Sequence, residues 1–134
     1  MKYMLDTNIC IYTIKYKSPE MIRNFLNHEP DDICISAITY GELMHGVGKS
    51  RAVEQNHAAL TLFLSSISIL PFNDRAAEEY GKVRAEVEQK GTRIGPMDIL
   101  IAGHARSEGR ILVTNNTREL CRVKGLAVED WTKE

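Results

Sequence analysis

The chain has 134 residues, 43% of them hydrophobic and 26% charged, with 17 Lys+Arg against 18 Asp+Glu for a net charge of −1. That length predicts one domain over 1–134, with room for a core that needs no disulfide or metal staple. The balance excludes a disordered chain, and it excludes a protein that coats nucleic acid through a basic arm, because neither half departs from neutrality by more than one charge.

Tyr3-Met4-Leu5 predicts a first short strand, and Thr7 or Asn8 is placed to cap a helix over 9–16. Ser18-Pro19-Glu20 predicts a second helix start, with Ser as cap and Pro at the first helical position. Asp31-Asp32 reads as a solvated turn before a second strand, Ile33-Cys34-Ile35, and Ser36 caps the helix that follows. Over 52–65, Val53, His57, Leu60 and Leu64 recur at helical spacing. A third strand spans 67–70 and ends at Pro71. Asn73 caps a helix with Ala76, Tyr80, Val83 and Val87 on one face, closed by Gly91. Gly95-Pro96 opens a helix over 97–108, which Gly109 ends. Ile111-Leu112-Val113 is the fourth strand, and 126–131 gives a fifth at the sheet edge.

The three cysteines, Cys10, Cys34 and Cys121, are odd in number, dispersed and free of a C-x-x-C, which argues against a disulfide framework or a zinc site. His57 and His104 have no metal-spaced partner and read as packed side chains. Asp6 comes too early for a signal-peptide apolar region. Residues 55–73 carry no formal charge, yet Gln55, Asn56 and Pro71 fit a helix running into a strand rather than a membrane span. The expectation is a soluble cytoplasmic protein with no membrane association.

Short apolar strands separated by helices predict an α/β fold, a three-layer α/β/α sandwich around a parallel sheet of four to five strands. Ligands bind such sheets beyond the carboxyl ends of the strands. Asp6 follows the first strand, Glu42 lies in the helix after the second, Asp98 opens the helix begun by Pro96, and Asn116 and Glu119 follow the fourth. Gathered in one cleft, these carboxylates repel and raise one another's pKa. A hard cation such as Mg²⁺ relieves that, and it also activates water against a phosphodiester. Each acid has a plainer reading as well. Asp6 and Asp98 suit helix N-termini, Glu42 suits an exposed helix face, and Asn116-x-x-Glu119 is similar to a capping box.

Four stretches together carry a family resemblance. Met4-Leu5-Asp6-Thr7-Asn8-Ile9, then Ser36-Ala37-Ile38-Thr39-Tyr40-Gly41-Glu42, then Gly95-Pro96-Met97-Asp98-Ile99, then Val113-Thr114-Asn115-Asn116-Thr117-Arg118-Glu119 resemble, in order, the motifs of PIN-domain ribonucleases, and most closely VapC-type toxins of type II toxin–antitoxin systems. The resemblance implies strand order 3-2-1-4-5 and endoribonuclease activity dependent on Mg²⁺ or Mn²⁺. It implies Asp6, Glu42, Asp98 and Glu119 as catalytic acids and metal ligands. Thr7, Asn8, Ser36, Thr114 and Asn116 would orient carboxylates and water. Asn116 stands where many members carry Asp, which puts a second tightly held metal in doubt. A VapB-type antitoxin and a homodimer are implied as partners, with helices near 19–27 and 37–65 able to supply an interface. The Gly-Pro-x-Asp and Thr-Asn-Asn wording is similar to toxins that cut initiator tRNA in the anticodon loop. Arg93 and Arg118 are the candidate RNA contacts, within a basic scatter that includes Arg106, Arg110, Arg122 and Lys124. The rival readings are a receiver-like phosphoryl-accepting domain and a PIN-like scaffold without catalysis.

Overall fold

A computed structural model describes residues 2–133. Five strands run β1 (Tyr3–Leu5), β2 (Ile33–Ser36), β3 (Ser68–Leu70), β4 (Ile111–Val113) and β5 (Val128–Glu129). All neighbours pair in parallel, in the order β3-β2-β1-β4-β5. That is the expected order. It also disposes of the receiver-like reading, since receiver domains follow the order 2-1-3-4-5.

Seven α-helices join the described strands: α1 (Thr7–Tyr16), α2 (Pro19–Leu26), α3 (Ala37–Gly48), α4 (Val53–Leu64), α5 (Asp74–Gln89), α6 (Pro96–Ser107) and α7 (Thr117–Leu120). Side chains alternate across a strand, so each strand feeds two cores. Tyr3, Leu5, Ile33, Ile35, Ile111 and Val113 pack on one face with Ile9, Met21, Leu43 and Leu60 from α1 to α4. Met4, Cys34 and Leu112 pack on the other with Val83, Val87, Ile101, Ala102 and Leu120 from α5 to α7. The three layers follow from this two-sided burial.

Local chemistry sets the helix ends. Ser18, Ser36 and Asn73 each accept a backbone N–H of the helix they cap, at Met21, Ile38 and Ala76. Two expected boundaries move. The cap of α1 is Asp6, not Thr7 or Asn8, because the Asp6 carboxylate accepts the Ile9 N–H at 2.8 Å. The third and fifth strands shorten to 68–70 and 128–129, and β5 pairs only with Leu112 and Val113 of the three-residue β4. His57 is exposed rather than packed, since Leu60 is the only buried residue α4 contributes.

One close approach fixes where α6 lies. A Cβ on Gly103 would stand 2.6 Å from Tyr80 Cα and 2.7 Å from Tyr80 N. Only glycine lets the α5 and α6 backbones meet this closely. Arg106 then ties the same pair, from Nε to Glu79 at 3.2 Å and from Nη1 to Glu86 at 3.1 Å. Arg106 is therefore a helix clamp and not part of an RNA surface. Arg110 donates to the carbonyls of Tyr3 and Asp32, at the amino end of the sheet, and leaves the RNA surface as well. Among the described residues no helix is long and apolar enough to cross a membrane.

Candidate active site

The strand order reverses direction between β1 and β4, and the chain places its acids at that switch point. Asp6 leaves β1 held at both ends. Its N–H donates to the Val113 carbonyl at 3.0 Å, and its side chain caps α1. It is 2% exposed. Burial pushes its carboxyl up from 3.8 to about 6; the Thr114 hydroxyl and the Ile9 N–H pull it back, and the charges of Asp98 and Asp130 add to the rise. The helix-cap reading of Asp6 and the site reading thus describe one side chain.

Asp98 sits in the first turn of α6, half-buried. Burial raises its pKa, the Asn116 hydrogen bond lowers it, and the charges of Glu119 and Glu42 raise it further. Asp6 feels Asp98, and Asp98 feels Glu119 and Glu42, so the four acids share one field.

Neutral donors hold this field together. Thr7 donates from its hydroxyl to Glu42 Oε1 at 2.5 Å and lies 3.2 Å from the buried Thr39 hydroxyl. Asn116 donates from Nδ2 to Glu119 Oε2 at 3.0 Å and to Asp98 Oδ2 at 3.3 Å. It makes no side-chain cap bond, so the capping-box reading of Asn116 and Glu119 gives way to a bridge between two acids. The Asn116 N–H in turn donates to Thr114 Oγ1 at 2.9 Å. Asn8 is exposed and lines the cleft without bonding an acid.

Ser36 departs from expectation. It is fully buried, its Oγ accepts the Ile38 N–H, and it lies 2.8 Å from His104 Nδ1. It touches no acid. Its contact links the start of α3, which carries Glu42, to the α6 that carries Asp98. Burial holds the His104 imidazole below its ordinary pKa, and the Phe72 ring meets it edge-on at 5.2 Å. His104 is a buried neutral pin between the two helices, in keeping with its packed reading.

Three contributors escape a reading of the sequence. Asp130, just past β5, acts on Asp6 through its charge. The strand-end rule marks it, but the fifth strand is too short to fix its end. Thr39 and His104 act only through three-dimensional neighbours, which no spacing in the chain reveals.

The donor chemistry fits a hard cation. The acids supply carboxylate oxygens alone, and burial keeps the nearby Cys10 thiol protonated well above its ordinary range. Among the described residues no three of these groups already stand close enough to ligate an ion as their side chains lie. The fit is therefore one of donor chemistry and of placement at one end of the sheet, where Glu42, Asp98 and Glu119 are partly exposed.

A family model described as the PIN domain matches residues 3–126. The chain is also 49% identical over 132 residues to the tRNA(fMet)-specific endonuclease VapC of Shigella flexneri, covering 98% of this chain and 99% of the relative. The chain is a PIN-domain protein of the VapC family. Ribonuclease VapC2 of Rickettsia felis is 46% identical over 135 residues, covering 99% of this chain and all of that one. Among solved structures, the DNA-bound VapBC of Salmonella typhimurium superposes with a TM-score of 0.91 at 49% identity, covering 98% of both chains. VapBC2 of Rickettsia felis, bound to a promoter DNA fragment, gives 0.93 at 43% identity, over 98% of this chain and 99% of that one. The PIN fold and the sheet topology agree.

Proposed function

We propose that this VapC-family chain is a cytoplasmic endoribonuclease toxin that hydrolyses RNA with Mg²⁺ or Mn²⁺ and is restrained by a VapB-type antitoxin. The observation that carries this reading is the shared field of Asp6, Glu42, Asp98 and Glu119 at the sheet's switch point. The name of the Shigella relative supports initiator tRNA as the substrate. The VapBC complexes among its structural neighbours support the antitoxin; a homodimer belongs to the same proposal.

In this reading Asp6 and Asp98 would hold the cation, and Glu42 and Glu119 would contribute further carboxylate oxygens. The bound cation supplies positive charge that polarises the scissile phosphate and eases deprotonation of water. Every other part is done by side chains. Thr7 fixes the rotamer of Glu42. Asn116 holds Asp98 and Glu119 apart by one amide and adds no charge. A carboxylate of the cleft takes the proton of the attacking water. Water oxygen bonds to phosphorus as the bond to the 3′ oxygen breaks, leaving a 5′-phosphate and a 3′-hydroxyl. Mapping the ends of tRNA cut by the purified protein tests this. Ligatable 5′-phosphate ends are expected, and 2′,3′-cyclic phosphates would refute hydrolysis by water.

A further inference from the structure

The acids do not stand in an isolated hollow. A cleft of about 200 Å³, lined by Thr7, Asn8, Glu42 and Asp98, opens on two larger cavities. One, of about 660 Å³, shares Thr7, Asn8, Glu42 and Met97 with the cleft and extends along α3 past His45 to Lys49. The other, of about 500 Å³, shares Gly95 and Pro96, includes Glu119, and extends past Tyr80 and Arg84 to Arg93. Through these shared residues the three run together as one furrow, with Glu42 and Asp98 at its middle and Glu119 in the flank that holds Arg93.

The flanks are alike in size and charge. Each has the volume of a small-ligand site, ~300–1,000 Å³. Each presents one exposed cation that makes no ion pair among the described residues, Lys49 on one side and Arg93 on the other. Arg84, by contrast, is already bonded to Tyr80 Oη and to Glu88. A polyanion crossing this furrow is repelled at its centre and attracted at both ends.

We infer that a single RNA strand lies along this furrow, with the phosphate on one side of the cut held by Lys49 and the phosphate on the other side held by Arg93. The inference rests on the nuclease reading and deepens it. It gives that site two phosphate contacts that flank the scissile one, and it adds Lys49 to the residues that meet the substrate. The cations anchor backbone and read no base, so removing them weakens all sequences alike.

Titration of a labelled single-stranded RNA octamer into the Asp98→Asn protein, in Mg²⁺ buffer over a salt series, tests this. For single strands the slope of log affinity against log salt falls by about 0.7 for each phosphate that is no longer neutralised. Lys49→Ala and Arg93→Ala are each expected to weaken binding and to lower the slope by that amount. The double variant should lower it by about twice as much, while Lys82→Ala, outside the furrow, leaves it unchanged. A dinucleotide has one internal phosphate and should not register both variants. An unchanged slope in Lys49→Ala, or an equal weakening by both variants on the dinucleotide, would overturn the path. Cleavage by the unaltered protein is measured in parallel. Its absence would refute the nuclease reading, whereas cleavage with an unchanged Lys49→Ala slope refutes the path alone.

Discussion

A buried carboxylate held for chemistry should cost stability, and Asp6 allows the cost to be worked out. Its carboxyl stands at about 6 in the fold against 3.8 for the free group, chiefly through burial. The native state therefore binds this proton more tightly than the unfolded state does. Stability contributed by the protonated form is lost as pH rises from about 3.8 to about 6, and the loss is constant above that. The difference between the two values corresponds to about 3 kcal/mol. Asn is as good a helix cap as Asp, so Asp6→Asn keeps the bond from Ile9 while removing the charge. In chelator the variant should be more stable than the parent by up to about 3 kcal/mol at pH 7.5, a rise in Tm on the order of 10 °C. The advantage should shrink to nothing as pH approaches 3.8. Urea unfolding of both proteins from pH 4 to pH 8 gives the difference curve directly. A variant no more stable at pH 7.5, or a difference that does not change with pH, would refute the reasoning that burial sets the Asp6 carboxyl.

Further outcomes follow from single side chains. Gly103→Ala forces a Cβ to within 2.6 Å of Tyr80 backbone and should destabilise by about 1–3 kcal/mol or more, while Gly81→Ala, in the same helix pair with nothing within 4 Å, should stabilise by about 0.5–1 kcal/mol. Thermal melts read both signs, and a shift of the same sign in the two variants would contradict the close-approach argument. Asn116→Asp replaces the donor between Asp98 and Glu119 with a third negative charge. It should lower Tm in chelator and enlarge the rise in Tm on adding Mn²⁺, and calorimetry showing neither would remove Asn116 from the account.

The three layers and the positions of β1, β2, β3 and β4 are legible in the chain because apolar triplets after polar turns leave few alternatives in a parallel sheet. The strand order needs the motif resemblance as well, since patterning alone does not say which strands are neighbours. The placement of Asp6 and Asp98 is legible because one follows a strand and the other opens a helix at the sheet's carboxyl end, whereas Glu42, midway along α3, stands out only through the motif resemblance. Their coupling is not legible. It depends on the twist that brings α6 against α3 and on Asn116 reaching across to two helices. Spacing alone makes Asn116 a cap. Ser36 misleads because the last residue of a strand can point either to the cleft or into the core, and the buried His104 draws it inward. Arg106 and Arg110 read as surface cations until the fold supplies their carboxylate and carbonyl partners.

The central claim is that the acids at the switch point hold a divalent cation that enables RNA hydrolysis. Cleavage of initiator tRNA after stripping with EDTA, with Mg²⁺ or Mn²⁺ then restored, tests it most directly in the unaltered protein beside a folded Asp98→Asn variant. The account predicts that the unaltered protein loses activity in EDTA and regains it with the metal, while the variant stays inactive throughout. Full cleavage in EDTA, or by the folded variant, would contradict it.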